Sequence, residues 1–259
     1  PPLLPEDQLV RGFPNQPQRG LQRLFQDQGA LAFRALAQVK PLLDATRPEL
    51  MRRPQGWRAP PATLAASTIV CGCGGGQAVR SALPPLLAHS ARLLLDADAL
   101  NAIATDSALQ QLLAARAGRS LASVLTPHPL EAARLLGSDA AAVQADRLRA
   151  AQALADRYGC VVVLKGSGTV IAAPGRAPTI NPTGNARLAS AGTGDVLAGW
   201  IGGRWAACAA QGAADTAALP FDAAVAAVWD HGHAAEGHAG REHAPLRAGD
   251  LVERLAAAG

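Results

Sequence analysis

The residues best suited to chemistry lie in the string AGTGD, where two glycines precede an aspartate that opens an apolar stretch. That stretch predicts a helix over Thr193–Ala210, and the free amides at a helix N-terminus bind anions. Gly192, Thr193 and Gly194 would then form an anion hole for a transferring phosphoryl group. Asp195 would be the base that takes the proton of the accepting hydroxyl. In the alternative interpretation, Asp195 only caps the helix; the glycines and small polar residues before it favour catalysis.

A second candidate site is the glycine-rich string KGSGT at the end of an apolar run. A lysine followed by glycines suits a phosphate or a nucleotide, although the string lacks the spacing of a P-loop. A glycine-rich hairpin turn with an incidental lysine is an equally open alternative. The residues of this candidate nucleotide contact are Lys165, Gly166, Ser167, Gly168 and Thr169.

Three further polar loops follow apolar runs. Residues 72–76, GCGGG, contain four glycines that let a backbone approach a ligand closely, or else form only a tight turn. Asp96 and Asp98 follow the next run. We expect Asp96 to face a hydroxyl or a magnesium-bound phosphate and Asp98 to cap a helix. His128 lies between two prolines, and this rigidity favours a functional imidazole over an exposed loop histidine.

These loops all follow predicted strands. From Ser67 onward, short apolar runs alternate with amphipathic segments, which is typical of βα units on a parallel sheet. Ligands of open α/β sheets bind outside the carboxyl ends of the strands, so the loops should converge on one edge. The predicted strands are Thr68–Cys71, Arg92–Asp96, Leu121–Leu125, Val161–Lys165 and Thr169–Ala173. The predicted helices are Gln77–His89, Asp98–Arg116, Pro129–Leu136, Ala140–Tyr158, Thr193–Ala210, Thr216–Gly237 and Ala248–Ala258.

The N-terminal part of the sequence differs from the rest. Ten of the nineteen prolines lie in the first 61 residues. We expect residues 1–47 to be a divergent segment and residues 48–259 to form one domain. Within the segment, only Asp27–Gln38 predicts a helix, and residues 1–28 are expected to be irregular or poorly ordered.

Composition excludes several classes of function. Aromatic residues make up only 3% of the chain and the net charge of +4 is scattered, so we expect no nucleic-acid partner. No apolar run is long enough to span a bilayer, and the four cysteines fit reduced thiols of a cytoplasmic protein. We interpret four C-terminal histidines as surface residues, because they show no metal-binding pattern such as HExxH. They are His231, His233, His238 and His243.

Taken together, four strings identify a family resemblance: LLLDADALNAIA, LTPHPLEAARLLG, VVLKGSGTV and NPTGNARLASAGTGDVLAG. Over about residues 48 to 257, they resemble the ADP/ATP-dependent NAD(P)H-hydrate dehydratases of the ribokinase-like superfamily. The resemblance implies a three-layer α/β/α fold with a mainly parallel central sheet. It also implies phosphorylation of the C6 hydroxyl of NADHX or NADPHX by ADP or ATP, with Mg²⁺, followed by loss of phosphate. A homotetramer is expected as well.

The resemblance also implies roles for individual residues. Asp195 would be the catalytic base, and Gly194 and the Lys165–Thr169 stretch would contact the nucleotide. The expected contacts to the hydrated dinucleotide are Ala30, Gly74, Gly76, His128 and Asp195.

Two other functions remain open. One is a different ribokinase-like kinase of a small molecule, against which the TPHPLE string argues. The other is a non-catalytic nucleotide-binding protein with a degraded N-terminus, supported by the faint match of the first βα unit. Retention of Lys165, Gly194 and Asp195 argues against it.

Overall fold

A seven-stranded sheet forms the centre of the protein in a computed structural model, which describes residues 31–32, 56–212, 218–236 and 246–258. Each strand lies next to its predecessor in the chain. The first five strands pair in parallel, and the last two pair antiparallel. The strands are β1 (Leu31–Ala32), β2 (Thr68–Cys71), β3 (Arg92–Leu95), β4 (Ala122–Leu125), β5 (Val161–Leu164), β6 (Val170–Ala172) and β7 (Thr179–Ile180).

Ten α-helices surround this sheet in the described residues. They are α1 (Pro61–Ala65), α2 (Val79–His89), α3 (Ala97–Ala104), α4 (Ser107–Ala114), α5 (Pro129–Leu136), α6 (Ala140–Ala145), α7 (Arg147–Tyr158), α8 (Thr193–Ala210), α9 (Ala218–Glu236) and α10 (Ala248–Ala258). Short 3-10 turns cover Gly56–Arg58, Gly76–Ala78, Ala117–Arg119 and Ala186–Ala189.

The helices form two layers because the strands are apolar on both faces. All four residues of β5 are buried, as expected for a strand covered from both sides. Leu93 and Leu95 pack with α1 to α7, whereas Leu94 packs on the opposite face with α8 and α9, including Trp205. Helix α10 adds a smaller cluster through Leu251 and Leu255. The prediction of a three-layer α/β/α fold with a mainly parallel sheet is confirmed.

Two predicted helices are each broken by an aspartate. The single helix predicted over Asp98–Arg116 is wrong, because α3 ends at Ala104 and Asp106 starts α4 by accepting from the amides of Ala108 and Leu109. The helix predicted over Ala140–Tyr158 divides in the same way at Asp146, which caps α7. Aspartate at such a position competes with the helical backbone, which the apolar periodicity does not reveal.

The helix predicted over Asp27–Gln38 is wrong at the two residues that are described. Leu31 and Ala32 pair in parallel with Ile69 and Val70 and extend the sheet. Pairing with a sheet edge therefore overrides the local helical pattern. Ala30 and the remainder of residues 1–55, apart from this strand, lie outside the described residues. No helix in the described parts of the chain has the length and apolar character needed to cross a membrane.

Candidate active site

The loops after β2, β3, β4 and β5 meet at the carboxyl edge of the sheet. The Asp96 amide donates to the carbonyl of Cys71 at 3.0 Å, and the Lys165 amide donates to the carbonyl of Pro127 at 2.8 Å. These bonds continue the pairing beyond the strand ends. They bring together the glycine loop (residues 72–76), the aspartate loop (residues 96–98), the histidine loop (residues 126–129) and the lysine turn (residues 165–169), as predicted for loops at the carboxyl ends of the strands.

An ion pair joins two of these loops. Lys165 Nζ lies 2.7 Å from Asp96 Oδ1, and the Asp96 side chain is only 1% exposed. The Cys73 thiol donates to the other oxygen, Oδ2, at 3.7 Å. Lys165 therefore has a specific buried partner, and its contact with a nucleotide stays a prediction.

Helix α8 begins at this edge without a side-chain cap. Its N-cap is Gly192, whose φ of +84° lies in the left-handed region that favours glycine. Asp195 is the third residue of the helix and is exposed, and no side chain makes a capping hydrogen bond. The Thr193 amide donates to the carbonyl of Ser190 at 3.4 Å. The amides of Gly194 and Asp195 have no acceptor four residues back in the helix, so these two are available to an anion. Helix capping therefore does not explain Asp195.

The lysine turn and the start of α8 lie side by side. A Cβ placed on Gly194 would lie 3.6 Å from Lys165 Nζ. The predicted nucleotide contact and the predicted anion hole thus share one positively charged side chain. The Thr193 hydroxyl is not part of this surface, because it donates to the carbonyls of Leu188 and Ser190 at 2.6 and 2.8 Å.

The lysine turn itself is a hairpin between β5 and β6. Gly166 and Gly168 have φ values of +148° and +63°. Arg147, at the start of α7, lies under the turn and donates to the carbonyls of Ser167 and Leu164. Its guanidinium fills the space that a side chain at Gly166 would occupy, with Nη2 only 2.8 Å from a Cβ there. The sequence analysis missed Arg147, which carries no signal apart from its place at a helix start.

The glycine loop approaches the aspartate loop closely. A Cβ on Gly72 would lie 1.8 Å from the carbonyl oxygen of Asp96, so only glycine fits. The Gly76 amide donates to Asp98 Oδ2 at 2.7 Å, and the prediction that Asp98 caps its helix is therefore wrong. Open space surrounds the position of a Cβ on Gly74 and on Gly76, which leaves this loop accessible to a ligand.

His128 lies at the start of α5 and caps it. Its Nδ1 accepts from the amides of Leu130 and Glu131 at 3.1 and 3.4 Å, and Glu131 accepts from the His128 amide at 2.8 Å. The imidazole is nevertheless 47% exposed at the edge that carries the other loops. The prolines and the cap fix its backbone, as the sequence predicted. A contact between this ring and the substrate stays a prediction.

One of the four C-terminal histidines is buried. His231 on α9 is 6% exposed, and its Nε2 donates to the carbonyl of Thr193 at 2.9 Å. Burial lowers the pKa of His231, and the bond to Thr193 opposes that effect. The interpretation of His231 as a surface residue is wrong, because this helix packs against α8 over its length. His233 is exposed, and His238 and His243 lie outside the described residues.

Three potential metal ligands come together beside Lys165. The ligand atoms of Cys73, Asp96 and Asp195 lie within 4.8 Å of one another. Burial, together with the charges of the two aspartates, raises the pKa of the Cys73 thiol. A protonated thiol is a poor ligand for a hard cation, and Asp96 is occupied by Lys165. Of the three groups, only the exposed Asp195 carboxylate remains available to a cation, so the set does not hold a metal ion by itself.

A mainly parallel sheet between two helical layers, with a lysine turn and a glycine-led helix start at its carboxyl edge, defines a ribokinase-like protein. The fold is also that of a hydroxyethylthiazole kinase protein from Pyrococcus horikoshii OT3. That structure is 16% identical with a TM-score of 0.54, and the match covers 92% of this chain and 90% of that one. The chain belongs to the NAD(P)H-hydrate dehydratase family, whose model matches residues 34–256. The resemblance drawn from the sequence is confirmed.

Individual relatives agree with this family. The ADP-dependent (S)-NAD(P)H-hydrate dehydratase of Neisseria meningitidis serogroup B is 42% identical over 214 residues, which are 82% of this chain and 67% of that protein. The bifunctional NAD(P)H-hydrate repair enzyme Nnr of Escherichia coli K12 is also 42% identical, over 76% of this chain and 35% of that longer protein. A solved structure of ADP/ATP-dependent NAD(P)H-hydrate dehydratase from Bacillus subtilis, co-crystallised with ATP and Mg²⁺, is 31% identical with a TM-score of 0.60. That match covers 81% of this chain and 73% of the other.

Proposed function

We propose that the chain is an ADP/ATP-dependent (S)-NAD(P)H-hydrate dehydratase that restores NADH and NADPH from NADHX and NADPHX. The observation that carries the proposal is the placement of Lys165 at the N-terminus of α8, beside the exposed Asp195. A fixed cation, free amides and an aspartate at one edge are the parts that phosphoryl transfer needs. Membership of the family supplies the substrate class.

In the proposed reaction, the nucleotide lies between the Lys165–Thr169 turn and Gly194. The terminal phosphoryl group meets the amide of Gly194, whereas the Thr193 amide already donates to the carbonyl of Ser190 at 3.4 Å. Asp195 takes the proton of the C6 hydroxyl, whose oxygen attacks the terminal phosphorus and releases ADP from ATP, or AMP from ADP. The C6–O bond then breaks, and phosphate leaves with the bonding electrons. A neighbouring ring carbon loses a proton and the ring double bond returns.

The remaining predicted residues surround the substrate side of this arrangement. We propose that the open glycine loop, through Gly74 and Gly76, and the exposed ring of His128 contact the hydrated dinucleotide. Ala30, proposed for the same role, lies outside the described residues. When bound, Mg²⁺ would be carried mainly by the nucleotide phosphates and would neutralise charge on the transferring phosphoryl group, which leaves Asp195 free to act as the base. A homotetramer and a cytoplasmic location are parts of the same proposal.

One assay tests the proposal directly. Purified protein is mixed with (S)-NADHX and either ADP or ATP, and the return of NADH absorbance is followed with time. The proposal requires nucleotide-dependent recovery with one phosphate released per NADH. Phosphorylation of a different small molecule without recovery would indicate another kinase of this fold. Nucleotide binding without turnover of NADHX or any other acceptor would indicate a binding protein, and either result would overturn the proposal.

A further inference from the structure

Asp96 has no role in the reaction described above, yet its surroundings are unusual. It is almost fully buried, and both of its oxygens are taken, Oδ1 by Lys165 Nζ and Oδ2 by the Cys73 thiol. Burial of an ionised carboxylate is strongly unfavourable unless it is paired and hydrogen-bonded. A buried ion pair contributes little to net stability but can fix one geometry of its partners.

The pair draws the lysine side chain across the end of the sheet. Asp96 follows β3 and Lys165 follows β5, so the bond between them passes over the end of β4. Without this anchor, the flexible four-carbon stem of lysine would sample many positions. With it, Nζ lies 3.6 Å from the place of a Cβ on Gly194, at the first turn of α8.

We propose that Lys165 is a catalytic residue that contacts the transferring phosphoryl group, and that Asp96 is the positioning residue that holds its ammonium there. The thiol of Cys73 fixes the second carboxylate oxygen and so completes the anchor. This inference rests on the proposed function and deepens it. An ammonium that is already oriented stabilises charge as it develops on the phosphoryl oxygens, so its main effect falls on turnover rather than on nucleotide affinity.

The position of the ammonium can be probed in the unaltered protein. Lys40 and Lys165 are the only lysines of the sequence, so labelling is easily assigned by mass spectrometry. The probe is ATP with an acyl group on its terminal phosphate, which acylates a lysine that lies against that phosphate. We expect acylation of Lys165 that excess ATP suppresses, and no ATP-sensitive acylation of Lys40. Failure to label Lys165 under conditions where the probe binds would overturn the proposal.

The dependence of Asp96 on Lys165 is tested by a double-mutant cycle of Asp96→Asn and Lys165→Gln. Asp96→Asn alone should lower kcat by roughly 10- to 100-fold and change the KM for nucleotide by less than about 3-fold. In the Lys165→Gln background, the same substitution should change kcat by less than about 3-fold, because the group that it positions is already absent. Equal losses in both backgrounds, or no loss in either, would overturn the proposal.

Stability is measured on every variant, because Lys165→Gln leaves a buried carboxylate without its partner. The double variant replaces the ion pair with a neutral hydrogen bond and should regain the melting temperature that Lys165→Gln loses. If Lys165→Gln does not fold, the acylation result and the kcat and KM of Asp96→Asn decide. Asp222→Asn is the matched control: it removes a carboxylate from the exposed pair with Arg176 and should leave kcat unchanged.

The outcomes separate this inference from the proposed function. Wild-type protein that does not restore NADH from NADHX contradicts the proposed function itself. An active wild-type protein with additive effects of Asp96→Asn and Lys165→Gln contradicts only the positioning role of Asp96.

Discussion

At the scale of single residues, the candidate active site contains one charged side chain that is held in place by an ion pair and one that is exposed to solvent. Lys165 is held by a buried carboxylate, whereas Asp195 is exposed and makes no capping bond. A general base needs such freedom, because it must reach the hydroxyl of a bound substrate. We therefore expect substitutions of these two residues to have different effects.

Asp195→Asn should lower turnover of NADHX by roughly 10²–10⁴-fold, the usual contribution of a positioned acid–base group. The melting temperature should stay within about 2 °C of wild type, because the side chain makes no capping hydrogen bond. Steady-state turnover and thermal melting of the same preparation check both points. A stable variant with wild-type turnover would remove Asp195 from the mechanism.

At the scale of elements, helix α9 supports the first turn of α8 from behind. The buried His231 donates to the carbonyl of Thr193, the first residue of α8. The next residue, Gly232, leaves room for Thr183, whose hydroxyl donates to the carbonyl of Trp229 at 2.9 Å. One turn of α9 thus contacts both the loop at Thr183, which precedes α8, and Thr193, the first residue of α8.

His231→Leu should lower kcat by about 10-fold, because the Thr193 carbonyl loses its donor and the anion-binding turn loses a fixed position. His231→Gln, which retains an N–H near the place of Nε2, should recover most of the activity. Kinetic constants of the two variants at matched stability test this. If both variants behave alike in kcat, His231 only fills space.

The same histidine should make stability depend on pH. Burial lowers the pKa of His231 in the folded protein, so the unfolded chain takes up a proton first as pH falls. Its contribution is therefore present above about pH 6.5 and is lost below it, at up to about 1.4 kcal/mol per pH unit. Melting temperatures between pH 7.5 and 5.5 should fall less steeply in His231→Gln than in wild type.

A second element-scale feature is Arg116, a buried arginine that follows α4 in the chain and packs against the C-terminal end of α2. Arg116 is 1% exposed and donates to the carbonyls of Leu87 and Ser90 at 2.7 and 2.8 Å, and to the Ser123 hydroxyl at 2.7 Å. Burial lowers its pKa to about 10. The positive charge also meets the negative end of the α2 dipole, which favours it there.

Arg116→Met should destabilise the protein by about 3 kcal/mol, since several buried acceptors lose a charged donor at once. Chemical denaturation with a two-state fit measures the change. Arg119→Met, at an exposed position in the following turn, is the control and should shift stability by less than about 0.5 kcal/mol. Equal effects of the two substitutions would mean that the buried hydrogen bonds contribute nothing.

At the scale of the whole molecule, the sequence was sufficient for the positions of five strands, for the mainly parallel sheet and for the edge where the site lies. The apolar runs and the polar loops after them can be recognised from the local sequence pattern. Strands β2 to β6 accordingly all lie within a residue or two of their predicted bounds. What the pattern missed depends on pairing between distant segments. Arg147 under the lysine turn, Asp98 on the Gly76 amide and His231 on Thr193 are such cases, because the sequence around each residue does not contain its partner.

The distance along the chain between Asp96 and Lys165 has a consequence for how the protein folds. The two residues are 69 positions apart, and β4 must lie between their strands before they can meet. Closing so long a segment is entropically costly, so the phosphate-binding surface should form late, after the rate-limiting step of folding. ADP at about 100 times its Kd should stabilise the native state by ~2.7 kcal/mol and slow unfolding by about 100-fold, while leaving the refolding rate unchanged. Stopped-flow measurements with and without ADP would show this, and faster refolding with ADP would place the surface in the folding nucleus instead.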